Sequence, residues 1–174
     1  MRPFLASAAA ALLAVGVALP AQAGDYGYTP RSDVALSVRG GWWDADVQGY
    51  SGAAAYGVEL SGNDTFLELP VGALRHMVSW NHADGDGLKL DSAEWNIHWT
   101  VQAGPELWIG AGPGLGYVWT DGRDSDDGGA AAQFGLSAYT IRGHMLLGVD
   151  SRYQWTEADS ADNWLTMAKI GYVF

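Results

Sequence analysis

Between Leu88 and Gln102 the sequence sets Glu94, Asn96 and His98 at every second position, placing a carboxylate, an amide and an imidazole in one row. Such a row can hold a proton, pair with cations or bind a small polar solute, provided the chain is extended, because alternate residues of a strand share a face. Arg39, Glu59, Glu68 and His76 recur at comparable spacing before it, and Asp150, Arg152, Gln154 and Lys169 after it. The series holds both basic and acidic groups, so mutual ion pairing is the chemistry it fits best; an unpaired buried charge costs roughly several kcal/mol. A second group is made of loop carboxylates: Asp84 and Asp86 in "HADGDG", and Asp121, Asp124, Asp126 and Asp127 in "TDGRDSDDGG". These are oxygen ligands of the kind calcium and magnesium prefer, but their spacing does not match a 12-residue calcium hand. His82 has no partner histidine near in sequence. The expectation is solvated acidic loops, with no metal and no cofactor.

What must position these groups is a set of strands. From Leu88 onward Ala93, Trp95, Ile97, Trp99 and Val101 are apolar, while Ser92, Glu94, Asn96, His98, Thr100 and Gln102 are polar. That is period two, and a helix would scatter the polar groups around its circumference. Seven further segments read the same way. Val34, Leu36, Val38 and Trp42 alternate with Ala35, Ser37 and Arg39; Tyr56, Val58 and Leu60 alternate with Gly57, Glu59 and Ser61. A third segment, about Thr65–Trp80, sets Leu67, Leu69 and Val71 against Phe66, Glu68 and Pro70. There Pro70 and Gly72 permit a bulge that would exchange the faces of Leu74–Trp80. Leu107, Ile109, Ala111, Leu115, Tyr117 and Trp119 alternate with glycines; Phe134, Leu136 and Ala138 with Gln133, Gly135, Ser137 and Tyr139. Met145, Leu147, Val149, Tyr153 and Trp155 oppose Asp150, Arg152 and Gln154, and Trp164, Thr166, Ala168, Ile170, Tyr172 and Phe174 oppose Met167, Lys169 and Gly171.

The links between these eight strands alternate in kind. Those near 61–64, 103–105 and 141–143 are short; those near 45–52, 81–87, 120–129 and 157–162 are mostly longer and rich in Asp and Gly. This order predicts an all-β, eight-stranded antiparallel up-and-down transmembrane β-barrel, with both chain ends on the short-turn rim. The alternative, an exported soluble barrel or sandwich, would put the Glu, Arg, Gln and Gly face outside. Trp and Tyr concentrated near strand ends favour the membrane form, where such rings make interface girdles. In the barrel, Arg39, Glu59, Glu68, His76, Glu94, Asn96, His98, Asp150, Arg152, Gln154 and Lys169 line a lumen just wide enough for side chains to fill. Asp150 and Lys169 face each other across the last hairpin. Folding about residue 104 sets Glu94, Asn96 and His98 opposite Gly114, Gly112 and Gly110, where the glycines either admit bulky neighbours or leave a narrow polar path.

The first 23 residues have one early positive charge (Arg2), an apolar run from Phe4 to Leu19 and an Ala-Gln-Ala close. This is the layout of a cleaved secretory signal peptide rather than a membrane anchor, leaving residues 24–174 as one domain. Removing Arg2 leaves eight basic against 20 acidic residues, a formal −12, which argues against nucleic acid as a partner. Cysteine is absent, so stability rests on packing and hydrogen bonds.

The chain closes on "KIGYVF". Lys169, Gly171, Tyr172 and Phe174 fill the pattern polar, any, Gly, aromatic, any, aromatic, and this resembles the assembly signal of bacterial outer-membrane barrels. With the alternation before it, the region 24–174 is similar to the small eight-stranded outer-membrane proteins of the OmpA-barrel, OmpX and OmpW kind; no motif selects one family among them. The resemblance implies a monomer in the outer membrane of a Gram-negative cell, reached through the periplasm, in contact with membrane lipid and lipopolysaccharide and inserted by the barrel-assembly machinery. It implies a structural, membrane-integrity or surface role, with narrow solute conduction of the OmpW manner as the alternative. Some barrels of this kind modify lipid A, the deacylase type through a His-x-Ser pair on the lipid face. None of His76, His82, His98 and His144 is followed two residues on by Ser. The palmitoyltransferase type carries an amphipathic helix before the barrel, and "GDYGYTPRSD" has neither the length nor the period for one. No catalytic residue is therefore expected.

Overall fold

The computed structural model describes residues 33–46, 51–67, 69–122, 126–157 and 162–174. The expected signal peptide, residues 1–23, lies outside them, as do Glu68, Asp124 and the side chains of Asp126 and Asp127. Eight strands follow one another: β1 (Ala35–Ala45), β2 (Ala53–Asn63), β3 (Ala73–Gly85), β4 (Leu88–Gln102), β5 (Leu107–Asp121), β6 (Asp126–Arg142), β7 (Met145–Thr156) and β8 (Asn163–Val173). Each pairs antiparallel with its sequence neighbours, and β1 pairs with β8, closing the barrel. Closure removes the unpaired edges that would otherwise seek another chain or face lipid unsatisfied. Traced from Val38 through β2, β3, β4 and β5, the pairing reaches Ala130 of β6; traced back through β8 and β7, it reaches Thr140. The register thus slips by ten residues per circuit, and strands so staggered must tilt strongly against the barrel axis.

The orientation of the side chains is inverted relative to a water-soluble barrel. Leu36, Val38, Trp42, Val58, Leu60, Trp95, Trp99, Leu115, Phe134, Trp155, Ile170 and Tyr172 all stand exposed on the outer wall. Arg39, Glu59, Arg75, Glu94, His98, Asp150, Arg152 and Lys169 are buried within. The alternation in β1, β2 and β4–β8 is the one the sequence predicts.

Four details differ. The third strand begins at Ala73, not near 65, and β2 runs on through Asn63, so the expected short turn at 61–64 is a nine-residue link, 64–72. Its end at Gly72 takes a φ of +77°, where an added Cβ would lie 2.9 Å from the Trp99 indole nitrogen, so the chain swings into β3 where only glycine fits. The consequence is the exchange of faces: Arg75 points inward and His76 outward, against the expected lumen position of His76. Next, the loop expected at 81–87 shrinks to the two residues Asp86 and Gly87, both with positive φ (55° and 78°). Asp-Gly favours this twist, which matches that of the flanking strands, so β3 and β4 extend to meet it. Third, Glu94 pairs with Gly116 and Asn96 with Gly114, two residues off the expected register, because the β4–β5 link spans 103–106. Last, Lys169 lies opposite Gly148 and Asp150 opposite Met167, so Asp150 and Lys169 meet diagonally rather than face to face.

Inside, the polar middle is capped by apolar layers at both ends. Towards the rim of the Asp86-Gly87 turn, Trp43, Leu90, Val118, Leu165 and Met167 interlock among Ala45, Ala53, Ala55, Ala83 and Ala131. At the rim of the chain ends, Ala35, Tyr139, Leu146 and Val173 pack together with Trp108 and Ile141.

Candidate functional site

The charged middle of the lumen is built from five of the eight strands. β1 contributes Arg39, β2 Glu59, β4 Glu94, β7 Asp150 and Arg152, and β8 Lys169. Asp150 is the hub: Arg39 Nη2 donates to its Oδ2, Arg152 Nη1 lies 3.3 Å from the same oxygen, and Lys169 Nζ lies 3.4 Å from Oδ1. Lys169 Nζ also donates to Glu59 Oε1 at 2.7 Å, and Arg39 Nη1 stands 3.7 Å from Glu59 Oε2. Arg152 Nη2 reaches Glu94 Oε2 at 2.6 Å. Asp150 therefore faces three cations, Glu59 two and Glu94 one, and this pairing offsets the cost of burying charges so deep.

A layer of neutral groups completes Glu94. Asn81 Nδ2 donates to its Oε1 at 3.0 Å, Ser92 Oγ to the same atom at 2.5 Å, and Gln133 Nε2 lies 3.3 Å from Oε2. Gln133 also donates to Asn96 Oδ1 at 2.7 Å and accepts from Gln154. His98 Nδ1 is 2.9 Å from Ser137 Oγ. Side chains closely approach the glycines around Glu94, Asn96 and His98. A Cβ at Gly114 would lie 2.8 Å from Gln133 Nε2, and one at Gly135 would lie 3.0 Å from His98 Nε2. The glycines make room that these side chains occupy.

The structure thus brings together Arg39, Glu59, Glu94, Asn96, Asp150, Arg152, Gln154 and Lys169, and sets His98 beside them; Glu68 lies outside the described residues. His76 is instead on the outer wall, with Nε2 3.2 Å from Asp64 Oδ2 and its ring stacked on Trp95. Sequence reasoning missed Arg75, whose inward turn depends on where the preceding link enters β3 at Ala73. It donates to Ser61 Oγ at 2.8 Å and Asn63 Oδ1 at 3.1 Å and lies over the Tyr139 ring. Ser92 was legible as an inward member of the alternation, whereas Asn81 fell in the expected 81–87 loop and enters the lumen because β3 runs on to Gly85; nothing in their types marked either as a ligand of Glu94.

The terminal residues Lys169, Gly171, Tyr172 and Phe174 each have a distinct place. Lys169 joins the lumen network, and Gly171 nestles against Leu36 and Ser37 of β1, where a Cβ would come within 2.7 Å of the Leu36 carbonyl oxygen. Tyr172 and Phe174 stand outside, edge to face at 5.4 Å, and Phe174 N donates to Val34 O at 2.9 Å. The last strand is paired on both edges to its end.

At the opposite rim, Ser51 donates to Asp86 Oδ2 from both its backbone N (3.0 Å) and its hydroxyl (2.7 Å), tying the β1–β2 connection to the β3–β4 turn. These donors, the hydroxyl foremost, lower the Asp86 pKa below the ordinary aspartate range. A lowered folded pKa means the tie is complete above the unfolded value, about 4, and is lost as pH falls through the lower folded value. In detergent-refolded protein the Ser51 amide proton resonance is expected to titrate with a midpoint below that of a free aspartate. Asp86→Asn should abolish the transition; a Ser51 titration that persists in that variant would exclude Asp86 as its source. Among the described residues, no cluster of three or more His, Asp or Glu side chains is arranged to hold a metal ion.

No protein-family model matches the chain, and neither does any curated protein sequence. Solved structures do. The attachment invasion locus protein Ail of Yersinia pestis superposes with a TM-score of 0.56 at 10% identity, covering 84% of this chain and 100% of Ail. The N-terminal β-barrel domain of Pseudomonas aeruginosa OprF gives 0.50 at 13% identity, covering 83% and 100%. The outer membrane enzyme PagL gives 0.51 at 13% identity, covering 80% and 98%. The chain has the fold of small Gram-negative outer-membrane barrels. At such identities the likeness establishes architecture alone, and that architecture carries both enzymes and other proteins.

Proposed function

We propose that this chain spans the outer membrane as a closed, non-conducting monomeric barrel, exported through the periplasm, with a structural, membrane-integrity or surface-interaction role. The observation that carries this reading is the combination of an apolar outer wall with an interior filled at three levels: apolar layer, ion-pair network, apolar layer. Lipid is the medium such a wall requires. The rim of the chain ends faces the periplasm, and the rim bearing Asp44, Asp84, Asp86 and Asp121 faces outward, towards lipopolysaccharide. Non-enzymatic action is supported by the burial of the Ser137–His98 contact, with both residues under a tenth exposed, where no acyl chain has access.

Planar-bilayer recording tests the closed state. The refolded barrel is expected to give no stable conductance. Reproducible channels that disappear in Asn96→Trp would overturn the reading in favour of a narrow conductor. Lipid A from cells with and without the protein should have the same mass spectrum; an acyl change would make it an enzyme.

A further inference from the structure

Three links share the rim of the chain ends, and they differ sharply. Residues 103–106 read Ala-Gly-Pro-Glu and residues 143–144 read Gly-His, whereas 64–72 carries Phe66, Leu67, Leu69, Pro70 and Val71. Those side chains are not folded under the barrel: Phe66 is 95% exposed and Leu67 56%. Yet several backbone groups of the link have partners within the protein. Asp64 N donates to Leu74 O, and Asp64 Oδ1 accepts from Phe66 N at 2.7 Å and Leu67 N at 3.2 Å. At the other end the Trp99 indole donates to Val71 O at 2.9 Å. That bond holds the link against the outer wall of β4, and Leu69, Pro70 and Val71 form a shallow apolar groove with Trp99.

From these contacts we infer that residues 64–67 and 69–72 form an interfacial foot, which lays Phe66, Leu67 and Leu69 into the headgroup–acyl boundary of the periplasmic leaflet. The occupant of the groove is a phospholipid. Three observations select lipid. The groove is continuous with Trp99, already part of the lipid-facing wall. The backbone groups named above have internal partners, as burial among acyl chains demands. And the polar flank, His76 on Asp64 beside Trp95, combines an aromatic body with a wet tip, as interfacial residues do. The inference rests on the proposed membrane-spanning reading.

Because the chain has no cysteine, single thiols can be placed for an environment-sensitive fluorophore. Phe66→Cys and Leu69→Cys probe the foot, Val58→Cys the mid-wall, and Gly104→Cys a neighbouring link on the same rim. The labelled full barrels are refolded into phosphatidylcholine vesicles, with and without lipids brominated near the carbonyl end or, for Val58, at mid-chain. The foot labels are expected to be quenched by the brominated lipid and to be about threefold less accessible to aqueous iodide than the Gly104 label. Foot labels as open to iodide as Gly104, with Val58 still quenched by lipid, would overturn the foot, leave the spanning reading intact and point to an aqueous periplasmic partner. A Val58 label untouched by brominated lipid would overturn both.

Discussion

Asp150→Asn is expected to destabilise the refolded barrel by about 3–5 kcal/mol, seen as a lower urea midpoint and loss of heat-modifiable mobility. The carboxylate removed is the one on which Arg39, Arg152 and Lys169 converge. Deleting one partner of a buried ionic cluster leaves charges desolvated and unanswered, and that residual charge sets the size of the loss. Among the described residues the buried charged groups are already unequal, Arg39, Arg75, Arg152 and Lys169 against Glu59, Glu94 and Asp150. A second change separates this account from a simple packing defect. Asp150→Asn with Lys169→Met removes one charge of each sign and leaves two pairs the structure already contains, Arg39 with Glu59 and Arg152 with Glu94. The double variant is expected to be more stable than Asp150→Asn alone. Additive losses would mean that Lys169 answers Glu59 only and that Asp150 is no hub.

Why the network was legible in the sequence while its caps were legible only in part, at Tyr139 and Met167, follows from how each departs from alternation. Arg39, Glu59, Glu94, Asp150, Arg152 and Lys169 interrupt apolar rows at every second position, so period two alone sends them inward. Met167 was placed inward with Lys169, but Trp43 and Leu165 also lie inward, and their outward neighbours Trp42 and Trp164 are equally apolar. Where both faces are apolar the period vanishes, and the outer cap reads as part of a girdle. The β3 register was hidden for another reason. Pro70 and Gly72 end one pattern before Ala73 starts the next, and a shift of one residue exchanges every side chain's face. Arg75 and His76 are adjacent, so either could have been the lumen residue; the path of the link decided it. Turn lengths failed where local chemistry overruled composition: Asp86-Gly87 closes a hairpin in two residues although it sits within a run of Asp and Gly long enough for a loop.

Gly171→Val tests the seam on which the closed form depends. Strands β1 and β8 pair from Ala35 opposite Val173 to Ala45 opposite Asn163, and this is the last junction the chain can make. A Cβ at Gly171 would meet the Leu36 carbonyl oxygen at 2.7 Å and Ser37 Cβ at 2.9 Å, and backbone on a neighbouring strand cannot move aside without parting the ladder. The expected cost is at the upper end of the roughly 1–3 kcal/mol typical of overpacking, with a reduced yield of closed barrel on refolding in detergent. Deleting Phe174 should behave differently. It removes one hydrogen bond to Val34 O and an exposed ring that meets Tyr172 edge-on, worth about 1 kcal/mol, so the purified barrel should refold nearly as before. In cells the same deletion is expected to lower the amount of heat-modifiable barrel in the outer membrane several-fold if the terminal aromatic is read by the assembly machinery. Equal losses in detergent and in cells would make Phe174 a packing residue, whereas a loss confined to cells separates recognition of the strand from the closure that Gly171 permits.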